Sequence, residues 1–125
     1  MRKNYNKPLE VEESKNLTKY LDDLVLYKKV ICFSHIPNET SIKNMAYLMK
    51  IKAMGKRKGV PDYVVLLENK ILFIELKRQK DNQGYCPSSI STEQQQWIDN
   101  LNKINNNSVL AKVCYGADEA LSFIK

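Results

Sequence analysis

Two rhythms of apolar residues take turns along the chain, one at helical spacing and one in short continuous or alternating runs. Leu17, Tyr20, Leu21 and Leu24 make a stripe with the period of an amphipathic helix, which predicts a helix over residues 9–27. The run Lys-Val-Ile-Cys-Phe-Ser at 29–34 reads as a strand ending at His35. Thr40 or Ser41 suits the cap of a helix that runs to Met54, with Gly55 as its stop. Runs 63–67 and 71–76, rich in β-branched and aromatic residues, flank Glu68-Asn69-Lys70 and predict a hairpin. Residues 81–89, with Gly84 and Pro87, read as a loop. A helix then opens at Ser91 and reaches Ile104, with Trp97, Ile98, Leu101 and Ile104 as its buried face and the Asn105-Asn106-Asn107 run as its end. A strand over 109–115 and a helix over 117–124 complete the order αβαββαβα. That order suits one α/β domain over residues 1–125, a mixed central sheet flanked by helices, with 1–8 as a flexible tail.

The hairpin carries the chemistry. Asp62 stands just before its first strand, and Glu75-Leu76-Lys77 closes its second. A two- or three-residue turn would set Asp62 opposite Lys77 or Leu76, and Glu75 and Lys77, two apart, share one face. The second strand is apolar on both faces, so its final charges sit at the rim of a core, where they are costly unless paired or metal-bound. Two carboxylates within cross-strand reach repel each other and favour a cation between them, and a hard divalent ion such as Mg²⁺ suits their oxygen atoms. Taken singly, an E-x-K in a strand is a solvated edge and a Pro-Asp starts a turn; it is the combination that points to a site.

Pro61-Asp62 followed by Glu75-Leu76-Lys77 resembles the signature of PD-(D/E)xK nucleases. Gly59-Val60-Pro61-Asp62, Gln94-Gln95-Gln96-Trp97 and His35-Ile36-Pro37-Asn38-Glu39 resemble, more narrowly, the stand-alone phage and bacterial type of the virus-type replication-repair nuclease domain, VRR-NUC. The resemblance implies a restriction-endonuclease-like fold and a Mg²⁺- or Mn²⁺-dependent deoxyribonuclease. It assigns metal binding to Asp62, Glu75 and the Leu76 carbonyl, and catalysis to Asp62, Glu75, Lys77 and Gln94, with Lys77 placing a water or countering charge at the phosphate. Gln94 also ends the capping box Ser91-Thr92-Glu93-Gln94, a structural role sufficient by itself. The superfamily often draws a further metal-site glutamate from its first helix. Glu10 and Glu13 fall near the Leu17/Leu21/Leu24 stripe while Glu12 points away, and distance along the chain favours Glu13.

Charge narrows the partner. Formal net charge is +6 and the sequence pI about 9.2, which favours a polyanion. Lys50, Lys52, Lys56, Arg57 and Lys58 crowd the approach to Asp62, and Arg78 and Lys80 follow Lys77. Lys56, Arg57, Lys58, Arg78 and Lys80 are therefore the candidate DNA contacts, against the plainer reading of a solvated face. Composition alone does not separate DNA from RNA. Cys32, Cys86 and Cys114 are scattered without metal spacing and read as reduced thiols of a cytoplasmic protein, with Cys32 and Cys114 in the core. No apolar run approaches the ~20 residues of a membrane span, and no signal-peptide core follows the N-terminus. A lone histidine excludes a histidine-rich metal site, and His35 reads more simply as a hydrogen-bonded strand end than as a base. No nucleophile elbow or P-loop is present.

No separate DNA-reading module is legible. The resemblance implies a structure-selective endonuclease, with Holliday (four-way) junctions the leading substrate and a homodimer supplying two symmetric cuts. A flap, nicking or restriction-like nuclease and a catalytically silent DNA-binding module are the alternatives.

Overall fold

The computed structural model describes residues 4–37, 44–104 and 107–125. Its elements run α1 (Glu10–Leu26), β1 (Cys32–His35), α2 (Met45–Ala53), β2 (Tyr63–Leu66), β3 (Ile71–Lys77), α3 (Thr92–Asn102), β4 (Val109–Tyr115) and α4 (Ala117–Ile124). This is the expected αβαββαβα order. The sheet order is β1-β2-β3-β4, antiparallel from β1 to β3 and parallel between β3 and β4, so it is mixed, as the sequence implied.

The helical stripe finds its place in the core. Leu17 and Leu21 of α1 are fully buried and join Val65, Leu72, Ile74 and Leu76 of the sheet and Ala117, Ala120 and Ile124 of α4. Truncating either leucine to alanine would cost about 2–5 kcal/mol, because a core closes only partly around a lost side chain. Tyr63, also buried, joins its hydroxyl to Ser14 of α1, which fixes the first turns of that helix over β2.

Several boundaries move, each for a local reason. Asn44 caps α2, its Oδ1 accepting from Tyr47 N at 3.1 Å; the expected caps Thr40 and Ser41 lie outside the described residues. Asn105 and Asn106 lie outside them too, while α3 stops at Asn102, which leaves Ile104 beyond the helix and half exposed rather than on a buried face. Cys32 is exposed on β1, one edge of the sheet, whereas Cys114 on β4, the other edge but packed against α3 and α4, is buried as expected. Residues 5–8 are no loose tail. Arg78 donates through Nε to Pro8 O at 2.8 Å and through Nη2 to Lys7 O at 2.6 Å, and the Tyr5 hydroxyl donates to Gln79 O at 2.7 Å.

The hairpin register differs from the expected one by at least a residue. Leu67 N donates to Lys70 O, so the turn is Glu68-Asn69 and the ladder pairs Tyr63 with Ile74. Carried one residue on, this sets Asp62 level with Glu75, not with Leu76 or Lys77. Opposed residues in a ladder point to one face, so the two carboxylates project together.

Candidate active site

The ends of β2 and β3 and the first turn of α3 assemble the cluster. Asp62 is anchored by its own Oδ2, which accepts from Leu76 N at 2.8 Å, and by its carbonyl, which accepts from Ile36 N at 2.6 Å beside β1. Glu75 and Lys77 are buried, at 2% and 7% exposure, and Lys77 Nζ stands 3.6 Å from Glu75 Oε2. Gln94 lies across both: Nε2 donates to Glu75 Oε2 at 3.0 Å, and Oε1 accepts from Lys77 Nζ at 3.3 Å. The same Oε1 accepts from Ser91 N at 2.9 Å, completing the capping box. One side chain thus completes the cap of α3 and bridges Glu75 and Lys77.

A close approach holds α3 to the loop that leads into Asp62. Gly59 has φ +88°, and a Cβ on it would sit 2.5 Å from Glu93 C and 2.7 Å from Gln94 N. Only glycine allows both that backbone angle and that contact. Trp97 Nε1 donates to Lys58 O at 3.0 Å and adds a second tie one turn along the helix.

The electrostatics are unbalanced toward negative charge. Burial raises the Glu75 carboxyl to about 8, and the neighbouring Asp62 charge adds to the rise against the pull of Lys77. Burial raises Asp62 too, opposed chiefly by the hydrogen bond from Leu76 N. Glu75 Oε1 is buried with no donor group to meet it, and the Asp62 carboxyl lies within hydrogen-bonding reach, so the two acids share either a proton or a cation.

The residues of α1 divide differently from the sequence expectation. Glu13 is buried, and both its oxygens are occupied: Oε1 accepts from Ala117 N and Oε2 from Gln79 Nε2, each at 2.9 Å. It ties the start of α4 to α1. Glu10 is exposed, and its carboxyl interacts electrostatically with Asp62 and Lys77 of the cluster. Desolvation raises its carboxyl first and Asp62 second, with Lys77, Arg78 and His35 lowering it. Helical spacing placed both glutamates near the same stripe, but Gln79, which turns Glu13 to a structural task, carried no signal in the sequence. His35 packs edge-on to the Tyr63 ring with centroids 5.1 Å apart, and Asn38 and Glu39 lie outside the described residues.

The expected DNA-contacting cations also separate. Arg78, committed to Pro8 and Lys7 and stacked over the Tyr5 ring at 4.7 Å, serves the fold rather than an open surface. Lys80 is exposed, its Nζ 4.1 Å from the Tyr115 ring centroid. Arg57 and Lys58 are exposed and Lys56 half-buried, all on the loop before Asp62.

Does this donor set fit a metal? Among the described residues no three His, Cys, Asp or Glu side chains form a ready cage. Mg²⁺ seldom needs one, since it keeps several waters and takes one or two carboxylates together with substrate phosphates. Two carboxylates facing together, one with a buried unsatisfied oxygen, against a single lysine, fit a hard divalent cation.

The family profile of the VRR-NUC domain matches residues 11–118. No protein with a curated description matches the chain. Among solved structures, one described as a VRR-NUC domain protein superposes with a TM-score of 0.67, covering 96% of this chain and 88% of its own at 21% identity. At that identity the likeness is one of fold.

Proposed function

Because this chain belongs to the VRR-NUC family of nuclease domains, we propose that it is a divalent-metal-dependent DNA endonuclease with a preference for four-way junctions, acting as a homodimer. The observation that carries the reading is the buried, unsatisfied Glu75 Oε1 beside Asp62, Lys77 and Gln94. Asp62, Glu75 and the Leu76 carbonyl would hold Mg²⁺ or Mn²⁺, with Glu10 in place of Glu13 as the further acid. When bound, such an ion supplies Lewis acidity that lowers the pKa of water and offsets charge at a phosphate.

The remaining work falls to the chain itself. Lys77, held between Glu75 and Gln94, points a fixed positive charge at the phosphate and counters the charge that grows there during hydrolysis. Gln94 keeps that lysine and Glu75 from drifting, and it can hand its amide hydrogens to a water or a phosphate oxygen when the acid is otherwise engaged. Lys56, Arg57, Lys58 and Lys80 would bind the backbone on either side of the cut. Burial around Glu75 and Lys77 keeps bulk water from screening these charges.

Junction preference and the dimer rest on analogy with stand-alone proteins of this kind and on symmetry: a twofold junction needs two cuts. Met45, Tyr47 and Met49 of α2 are exposed apolar side chains that offer surface for pairing. Among the described residues no helix is long and apolar enough to cross a membrane.

Incubation with labelled four-way junction, flap, nicked and linear DNA in Mg²⁺ or Mn²⁺ tests the reading. Cleavage concentrated on the junction supports it; cleavage of flaps or linear duplex alone would replace the substrate, and binding without cleavage would make the chain a silent DNA-binding module.

A further inference from the structure

Beside the carboxylate cluster lies a cavity of about 290 Å³ whose walls include Ile36, Pro37, Val60, Trp97, Lys56 and Arg57. Three of these connect directly to the site. Val60 precedes Pro61-Asp62, Ile36 N binds Asp62 O, and Trp97 follows Gln94 by one turn of α3. Trp97, expected in the core, is only half buried. Trp97 lines the cavity with its ring N–H already taken by Lys58 O, so the indole brings aromatic carbon and no free donor to it. Ile36, Pro37 and Val60 make the rest of the wall apolar. Among the described residues neither Lys56 nor Arg57 is paired with a carboxylate; Arg57 Nη1 donates to Lys56 O at 3.1 Å, which steers the guanidinium without neutralising its charge.

We propose that this cavity is a nucleobase subsite: it receives one unstacked base of the DNA against Trp97 while Lys56 and Arg57 hold the adjoining phosphates. The inference rests on the nuclease reading, and it deepens it by naming how distorted DNA would be recognised. A base leaves its stack at least cost where pairing is already broken, as at a junction, flap or single-stranded segment. Aromatic stacking accepts any base, and flanking cations track any backbone, so such a pocket selects structure and not sequence. The apolar wall and the two cations match the two halves of a nucleotide.

Trp97 is the single tryptophan of the chain, so its emission reports the pocket directly. The experiment titrates the full chain, in Ca²⁺ or EDTA to prevent cleavage, with short oligothymidylate and with an abasic strand of equal length and charge. Anisotropy of labelled strands gives affinity for the wild type, Trp97→Leu and Trp97→Phe, with circular dichroism as the check on folding. Oligothymidylate should quench Trp97 and bind about fivefold or more tightly than the abasic strand. Trp97→Leu should erase that advantage, Trp97→Phe should keep part of it, and all three proteins should bind the abasic strand alike. Equal quenching by both strands, no quenching on binding, an advantage that survives Trp97→Leu, or no binding at low salt would each overturn the subsite. Mg²⁺-dependent cleavage, assayed on the same preparations, separates the two readings: cleavage without a base effect removes the pocket and spares the nuclease, and a base effect without cleavage does the reverse.

Discussion

Gln94 and Glu75 are joined by a 3.0 Å hydrogen bond, although one starts a helix and the other ends a strand. The amide that donates to Glu75 Oε2 also accepts from Lys77 and from Ser91 N, so the start of α3 and the acid–lysine pair are set by one side chain. Gly59 makes this possible by letting the loop before Asp62 touch the backbone of residues 93 and 94.

The capping and bridging roles of Gln94 can be separated by mutation. Ser91→Ala removes the hydroxyl that accepts from Gln94 N and should cost about 1 kcal/mol of stability, with the cleavage rate at saturating DNA little changed. Gln94→Ala should lose comparable stability and in addition slow cleavage by about 10²-fold, the scale of one lost polar contact at a reacting centre. Thermal melts and single-turnover rates on the two variants check this; equal rates would reduce Gln94 to a cap.

Glu10 and Glu13 should fail in opposite ways. Glu13→Ala strips the buried Ala117 N of its acceptor and should destabilise the fold by about 1.5–3 kcal/mol, while the folded fraction still cleaves. Glu10→Ala should leave the melting temperature nearly unchanged and raise the Mn²⁺ concentration needed for half-maximal cleavage. The reverse pattern would return the metal role to Glu13.

Glu75 makes the stability of the metal-free protein depend on pH. Its carboxyl is raised from 4.5 to about 8, so between those values the folded chain holds a proton that the unfolded chain has released. The contribution is present in full below the unfolded value and is lost as pH rises through about 8; the raised Asp62 carboxyl acts in the same direction. Glu75→Gln carries no such loss. In EDTA, its melting temperature relative to the wild type should climb as the pH is taken from mildly acidic to mildly alkaline. Parallel curves across that window would contradict the burial of a protonated Glu75.

Much of the fold was legible because its signals are local. The Leu17/Leu21 stripe, the β-branched hairpin and the Ser91 capping box all place their elements correctly. The acid–acid–lysine cluster was legible in part, since strand alternation already puts Glu75 and Lys77 on one face. What escaped depended on long-range partners. Arg78 reads as a DNA contact until residues 7 and 8 are seen to consume its guanidinium, and Glu13 as a metal ligand until Gln79 and Ala117 take its oxygens. The register slipped by a residue because turn length is set by two atoms, Leu67 N and Lys70 O, that no side-chain pattern marks. Trp97 read as core for the same reason: nothing in its neighbourhood announces a cavity.

Mn²⁺ binding, followed by titration calorimetry at a pH just below the Glu75 transition, addresses the carboxylate pair most directly. The wild type should bind Mn²⁺ with release of protons, since the ion displaces the proton held at Glu75, and both Asp62→Asn and Glu75→Gln should abolish or severely weaken binding while remaining folded. A wild type that binds no Mn²⁺ with or without DNA, or variants that bind it as tightly as the wild type does, would contradict a metal-dependent nuclease built on these two acids.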